Sequence, residues 1–70
     1  MRLKELREER NIKQTTIAKA LQIRQNTYSQ YENGLRQLPI DVLIKLAGFY
    51  HVSTDFILEL TEIEEPYPKQ

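Results

Sequence analysis

The chain has 70 residues with no cysteine and one histidine, and its ten Lys and Arg balance its ten Asp and Glu. These counts exclude disulfides and a cysteine–histidine metal site, and a chain this short is predicted to form one domain. With two glycines and three prolines, a turn-rich all-β fold is not expected. No apolar run approaches the roughly 20 residues of a membrane span, and residues 1–5 (MRLKE) are too charged for a signal peptide. We therefore expect a soluble, cytoplasmic protein.

The charges are distributed unevenly along the chain. Residues 1–36 carry eight Lys and Arg against four Glu, a net charge of +4, and residues 37–70 carry two Lys against six acids, a net charge of −4. A basic half is typical of a nucleic-acid-binding surface. An accidental dipole in a small protein explains the asymmetry equally well.

The first helix is predicted over about residues 2–10. Leu3, Leu6, Arg7 and Arg10 recur at the spacing of a core-facing stripe. A guanidinium beside a core needs a carboxylate partner, so the arginines on this stripe predict ion pairs. Asn11 tolerates left-handed geometry and is predicted to end the helix.

Two short helices joined by a tight turn are predicted next, over residues 14–21 and 25–32. Ile17 and Leu21 face inward on the first of them, and Gln22 and Ile23 form the turn. The second starts at about residue 24 or 25, and residues 33–34 (NG) supply its stop.

One face of the helix over residues 25–32 consists of amides and a hydroxyl. At 100° per residue Gln25, Asn26, Ser29 and Gln30 fall within one sector. An ordinary solvated face usually carries Glu and Lys pairs, whereas uncharged amides suit the edges of bases in a major groove. These four residues are predicted to contact bases. Because Gln and Asn pair with adenine through two hydrogen bonds, A·T-containing half-sites are expected.

The tyrosines of this helix, Tyr28 and Tyr31, are predicted to face the core with their hydroxyls near the surface. The next helix, over residues 40–50, is apolar around most of its circumference and is predicted to be the central buried one. His51 is interpreted as a helix-end residue. The last helix is predicted over residues 54–60, capped by Ser53 or Thr54.

Residues 61–70, acidic and containing prolines, are predicted to be a tail that is at most partly ordered. Ile57, Leu58 and Leu60 point in divergent directions on the short last helix, so some of them should stay exposed in a monomer. We therefore expect a homodimer with a two-fold axis, formed through this helix and its flank.

The chain resembles the Cro/lambda-repressor type of helix-turn-helix regulator, the XRE family. The resemblance is carried by residues 6–10 (LREER), Gln14, Ala18, residues 31–34 (YENG) and the pattern of Leu43, residues 46–47 (LA), 52–53 (VS) and Asp55. It spans residues 3–60. The ending of the chain is similar to single-domain members from Gram-positive bacteria and their mobile elements.

This resemblance implies an all-α, five-helix, lambda-repressor-like DNA-binding bundle over residues 1–60, with the third helix in the major groove. It implies an ion pair between Arg7 and Glu32. It also implies that Gln14 and Thr27 meet phosphates. Residues beside the DNA are further expected to contact the backbone: Thr15, Arg24, Arg36 and Gln37. Where the family usually has helix caps or a turn glycine, this chain has Lys13, Arg24 and Gln22, which leaves the start of the third helix open.

The sequence therefore predicts a transcriptional regulator that binds a palindromic operator in double-stranded DNA. Of the two kinds of regulator, a repressor is expected. No catalytic constellation, metal site, cofactor or small-molecule ligand is expected, and neither is a second, ligand-sensing domain. A bacterial or phage origin fits the resemblance. The alternative is a protein-binding module on the same fold, such as an antitoxin or a phage-type inhibitor, which the acidic tail and the neutral total charge favour.

Overall fold

The computed structural model describes residues 1–65, which form five helices joined by short loops and contain no strand. The helices are α1 (Leu3–Glu9), α2 (Gln14–Leu21), α3 (Gln25–Glu32), α4 (Ile40–Tyr50) and α5 (Thr54–Ile57). The predicted all-α, five-helix fold is confirmed. The bounds of α2, α3 and α4 coincide with the predicted ranges.

Every helix contributes to one core. Its buried apolar residues are Leu3, Leu6, Ile17, Ala18, Leu21, Tyr28, Tyr31, Val42, Leu46, Tyr50, Val52 and Ile57. The spacing on α2, where Ile17, Ala18 and Leu21 are buried, is that of a single helical stripe. The opposite faces of the helices stay in solvent, so the polar side of α3 is left available.

The connection between α2 and α3 is held by backbone geometry. Gln22 adopts the left-handed conformation at φ 59°, and the N–H of Ile23 donates to the carbonyl of Ala18 at 3.0 Å. The side chain of Ile23 packs against the core beneath the turn. The turn thus fixes α3 relative to α2 without the glycine that is usual in the family.

The other helix ends follow the same rules. Asn11 and His51 are left-handed, at φ 54° and 58°, and Gly34 ends α3 at φ 73°. Ser53 caps α5, because its Oγ accepts the N–H of Phe56 at 3.0 Å. Neither Lys13 nor Arg24 forms a side-chain cap, so α2 and α3 begin with backbone N–H groups open to a ligand.

Two expectations about the last helices are wrong. α5 ends at Ile57, not at residue 60, because Glu59 turns left-handed at φ 64° and the N–H of Leu60 closes onto the carbonyl of Asp55. α4 is not buried all round: Ile40 and Ile44 are exposed, because the small core covers only the stripe that includes Val42 and Leu46. The apolar excess of α4 is therefore partly on the surface.

The acidic segment is more closely attached than the sequence indicated. Residues 61–65 fold back against the bundle, where the N–H of Ser53 donates to the carbonyl of Glu64 at 3.0 Å. Arg2 donates to Glu62 at 3.0 Å and Arg10 to Glu64 at 2.7 Å. This part of the expected tail therefore joins α1 to the α4–α5 end. The rest of the expected tail lies outside the described residues.

The ion pair between Arg7 and Glu32 joins α1 to the end of α3. Arg7 donates through Nε at 2.9 Å and through a terminal nitrogen at 2.8 Å, so the contact is bidentate. Its other terminal nitrogen donates to the carbonyl of Ile12 at 3.0 Å. The Glu32 side chain is only 2% exposed. A charge buried to this degree depends on its partner for its stability.

The surroundings of Glu32 determine its protonation. Burial by itself would raise the pKa of Glu32, but hydrogen bonding from Arg7, and contacts with Tyr28 and Gln14, hold it below the usual 4.5. Burial raises the pKa of Tyr28, and the nearby Glu32 carboxylate raises it further. The Tyr28 hydroxyl is buried and not near the surface as predicted, because the ring points fully into the core. Among the described residues this hydroxyl makes no hydrogen bond of standard geometry.

Replacing Glu32 with alanine should lower the free energy of unfolding by about 3–5 kcal/mol at neutral pH, because Arg7 then keeps a half-buried charge without its partner. A lowered pKa means that this stabilisation is complete above pH 4.5 and is lost as the pH falls through the folded-state pKa of Glu32. Urea denaturation of both proteins from pH 7 to pH 2 measures the difference. Glu9→Ala, at an exposed position of α1, is the control. Equal stabilities at pH 7 would contradict the role given to the pair.

Candidate nucleic-acid interface

The polar face of α3 lines an open groove of about 450 Å³ at the surface. Four of its lining residues are those predicted to contact bases: Gln25, Asn26, Ser29 and Gln30. The fifth is Gln14, at the start of α2. Every lining side chain ends in an amide or a hydroxyl, so the groove offers both donors and acceptors and carries no charge of its own.

Two packed helices hold this groove in place. Tyr28 and Tyr31 are buried on the inner side of α3, and Ile17 and Leu21 are buried on the facing side of α2. Gln25 and Asn26 are exposed at the first turn of α3. Ser29 is half-buried, and its Oγ accepts from Asn33 at 3.3 Å. The first turn is thus freest to meet a ligand.

Gln14 was expected only to contact a phosphate, but its side chain has two further contacts. Its Nε2 donates to Glu32 at 3.3 Å, and its side chain also lines the groove. The ion pair that joins α1 to α3 therefore also orients a side chain of the polar groove. Sequence reasoning missed this link because it depends on a contact between residues 18 positions apart.

The residues predicted to contact phosphates lie around the groove. Thr15 is exposed in the first turn of α2, and Arg24 is exposed directly before α3. Thr27 is half-buried on α3. Arg36 and Gln37 are exposed in the loop between α3 and α4. The structure thus leaves these side chains accessible from solvent.

Fewer basic side chains of the amino-terminal half are free to bind an anionic ligand than its net charge indicates. Among residues 1–65, Arg2, Arg7 and Arg10 bind Glu62, Glu32 and Glu64 within the protein. Arg2 and Arg10 also lie over the rings of Phe56 and Tyr50, at 4.3 Å and 5.4 Å from their centroids. The basic residues of this half that are exposed and form no ion pair among the described residues are Lys4, Lys13, Lys19, Arg24 and Arg36. The positive charge of this half that is not neutralised within the protein therefore lies mostly on or beside α2 and α3.

The predicted dimer contact needs one correction. Ile57 is 0% exposed and belongs to the core, so it cannot reach a partner chain. It is buried because α5 ends there and its last turn packs against α1, where the N–H of Arg2 donates to the carbonyl of Ile57. Leu58 and Leu60 remain accessible, at 37% and 72% exposure.

Residues 1–65 contain no group of three or more His, Cys, Asp or Glu side chains that could hold a metal ion. None of the described helices is long and apolar enough to cross a membrane.

Comparison with known proteins agrees with this geometry. The family model described as "Helix-turn-helix" matches residues 3–57. The chain is 39% identical over 64 residues to the HTH-type transcriptional regulator ImmR of Bacillus subtilis, covering 91% of this chain and 50% of that protein. It is 35% identical over 51 residues to the cryptic phage CTXphi transcriptional repressor RstR of Vibrio cholerae, covering 73% of this chain and 46% of that protein. No solved structure matches the chain significantly.

The chain spans about half the length of the curated relatives it matches. The family match covers all five helices and includes the left-handed turn between α2 and α3. The protein is a member of the helix-turn-helix family of the Cro/lambda-repressor type.

Proposed function

We propose that this protein is a sequence-specific DNA-binding transcriptional regulator that reads the major groove with α3. The observation that carries the proposal is the uncharged groove lined by Gln14, Gln25, Asn26, Ser29 and Gln30. A solvated helix face without function gains nothing from such side chains, whereas they complement the donors and acceptors of base edges. The printed names of the relatives, a transcriptional regulator and a phage transcriptional repressor, support the same function.

The first turn of α3 supplies the base contacts in this proposal. Gln25 and Asn26 are exposed there and each can form two hydrogen bonds with N6 and N7 of adenine. Ser29 and Gln30 follow one turn later on the same face. Each well-placed pair discriminates against a wrong base by about 1–3 kcal/mol. We therefore propose half-sites that contain A·T pairs.

Contacts with the DNA backbone set the register of α3. In this proposal the uncapped N–H groups of α2, together with Gln14 and Thr15, bind one phosphate. Arg24 and Thr27 flank α3 and take phosphates beside the groove. Arg36 and Gln37, in the loop after α3, contact a further phosphate.

The protein acts by occupancy: bound at a promoter, it competes with polymerase, and no step is catalytic. We propose a homodimer in which Leu58 and Leu60 of each copy form the contact. The two α3 helices of this dimer would lie about 34 Å apart on a palindromic operator. The matches to a Bacillus regulator and to a phage repressor support a bacterial or mobile-element origin and action in the cytoplasm.

Removal of the base-reading amides should strongly reduce discrimination between DNA sequences without unfolding the protein. In Gln25→Ala/Asn26→Ala/Gln30→Ala, the ratio of affinities for the preferred site and for a scrambled duplex should fall at least about tenfold, because each lost pair contributes 1–3 kcal/mol. Fluorescence anisotropy on both duplexes at fixed salt measures the ratio. Gln37→Ala, the same truncation at the loop, should lower both affinities together. An unchanged ratio in the triple variant would remove base reading from α3.

Arg36→Ala should weaken binding to all sequences alike and flatten the dependence of log K on log salt by about 0.9, since one phosphate contact and its counterion release are lost. Titrations at several potassium chloride concentrations give the slope. Lys4→Ala removes an exposed charge from α1 and should leave the slope unchanged. If both variants give the parental slope, Arg36 does not contact phosphate.

A further inference from the structure

One face of α4 is apolar and exposed, and nothing within residues 1–65 covers it. Ile40 and Ile44 are 75% and 59% exposed, and with Gly48 they recur every four residues, so they form one stripe. We call Ile40, Ile44 and Gly48 the α4 stripe. It lies outside the polar groove of α3.

Gly48 adds a second observation. It lies in the interior of α4, where glycine is the poorest helix former after proline, and its φ is not in the left-handed region. A Cβ built at Gly48 would meet nothing within 4 Å, so neither backbone geometry nor packing within the monomer requires a glycine. A glycine at a helix surface does permit close approach of another chain.

From these observations we propose that the α4 stripe is a contact between two copies of this chain, packed antiparallel about a two-fold axis at Ile44. In that arrangement Ile44 of one copy meets Ile44 of the other. Ile40 of each copy enters the space that Gly48 leaves open on the other. The patch is self-complementary, as a two-fold contact requires.

The charges beside the stripe fit a second copy and not an unrelated apolar segment. Asp41 and Lys45 lie on the same flank of the stripe, and among the described residues neither is in an ion pair within the monomer. At a rise of 1.5 Å per residue, Asp41 of one copy and Lys45 of the other lie about 3 Å apart along the helix axes. The two-fold axis brings both flanks to the same side of the helix pair, so two ion pairs close the contact. The opposite charges of Asp41 and Lys45 thus indicate that the molecule bound at the α4 stripe is a second copy of this chain.

This contact is separate from the one proposed at Leu58 and Leu60. The test is therefore made in a protein in which the contact at Leu58 and Leu60 is disrupted. All variants carry Leu60→Lys, which places a charge at that second contact. In this background, sedimentation equilibrium at low salt and hundreds of micromolar protein should show reversible dimers. Asp41→Lys alone and Lys45→Asp alone should each weaken association at least about tenfold, because like charges then oppose each other across the axis.

Mixing the two single variants in equal amounts should restore the dimer, since one ion pair then forms as in the parent and the other forms with its two charges exchanged. Gly48→Gln should remain folded, because its side chain enters open space, and should lose the dimer. Ala20→Gln, on an exposed position of α2, is the matched control and should keep it. A monomeric background protein, a mixture no heavier than its components, or a dimer that survives Gly48→Gln would overturn the proposal. Circular dichroism shows that each variant is folded.

Discussion

The position of α3 depends on one buried carboxylate. Glu32 ends α3, binds Arg7 of α1 through two hydrogen bonds, and accepts from Gln14 at the start of α2. Three helices therefore meet at one side chain that is 2% exposed. In a domain with so few buried residues, a bidentate ion pair supplies the directional contact that apolar packing cannot provide. The polar groove keeps its shape because the end of α3 and the start of α2 are fixed to the same group.

Some charged residues form ion pairs within the domain, and others remain exposed beside α3. The acidic residues Glu62 and Glu64 neutralise Arg2 and Arg10 on the side of α1 that faces the α4–α5 end. Exposed basic residues outside these ion pairs, such as Arg24 and Arg36, lie directly before α3 and in the loop after it. A neutral total charge is thus compatible with a nucleic-acid-binding surface, because much of the opposite charge is used in holding the domain together.

Local sequence signals predicted the elements that depend on local physics. The bounds of α2, α3 and α4, and the left-handed residues Asn11 and His51, follow from helical spacing and from end residues. The four groove residues of α3 follow from the same spacing. Most of the expectations that were wrong concern tertiary packing: the burial of Ile57, the open face of α4 and the buried hydroxyl of Tyr28. The early end of α5 is a local exception, caused by the left-handed Glu59. A periodic pattern shows that a face is apolar, but only the packed structure shows whether the core is large enough to cover it.

The most direct test of the central claim is selection of binding sites from randomised duplex DNA by the purified protein at about 100–150 mM salt, where non-specific phosphate binding is reduced. The account predicts enrichment of one A·T-containing sequence, arranged as two symmetric half-sites about one helical turn apart. A single asymmetric site would retain base reading by α3 and exclude the operator-bound dimer. No enrichment, with only weak and salt-sensitive binding, would contradict the account and favour a protein partner for this fold.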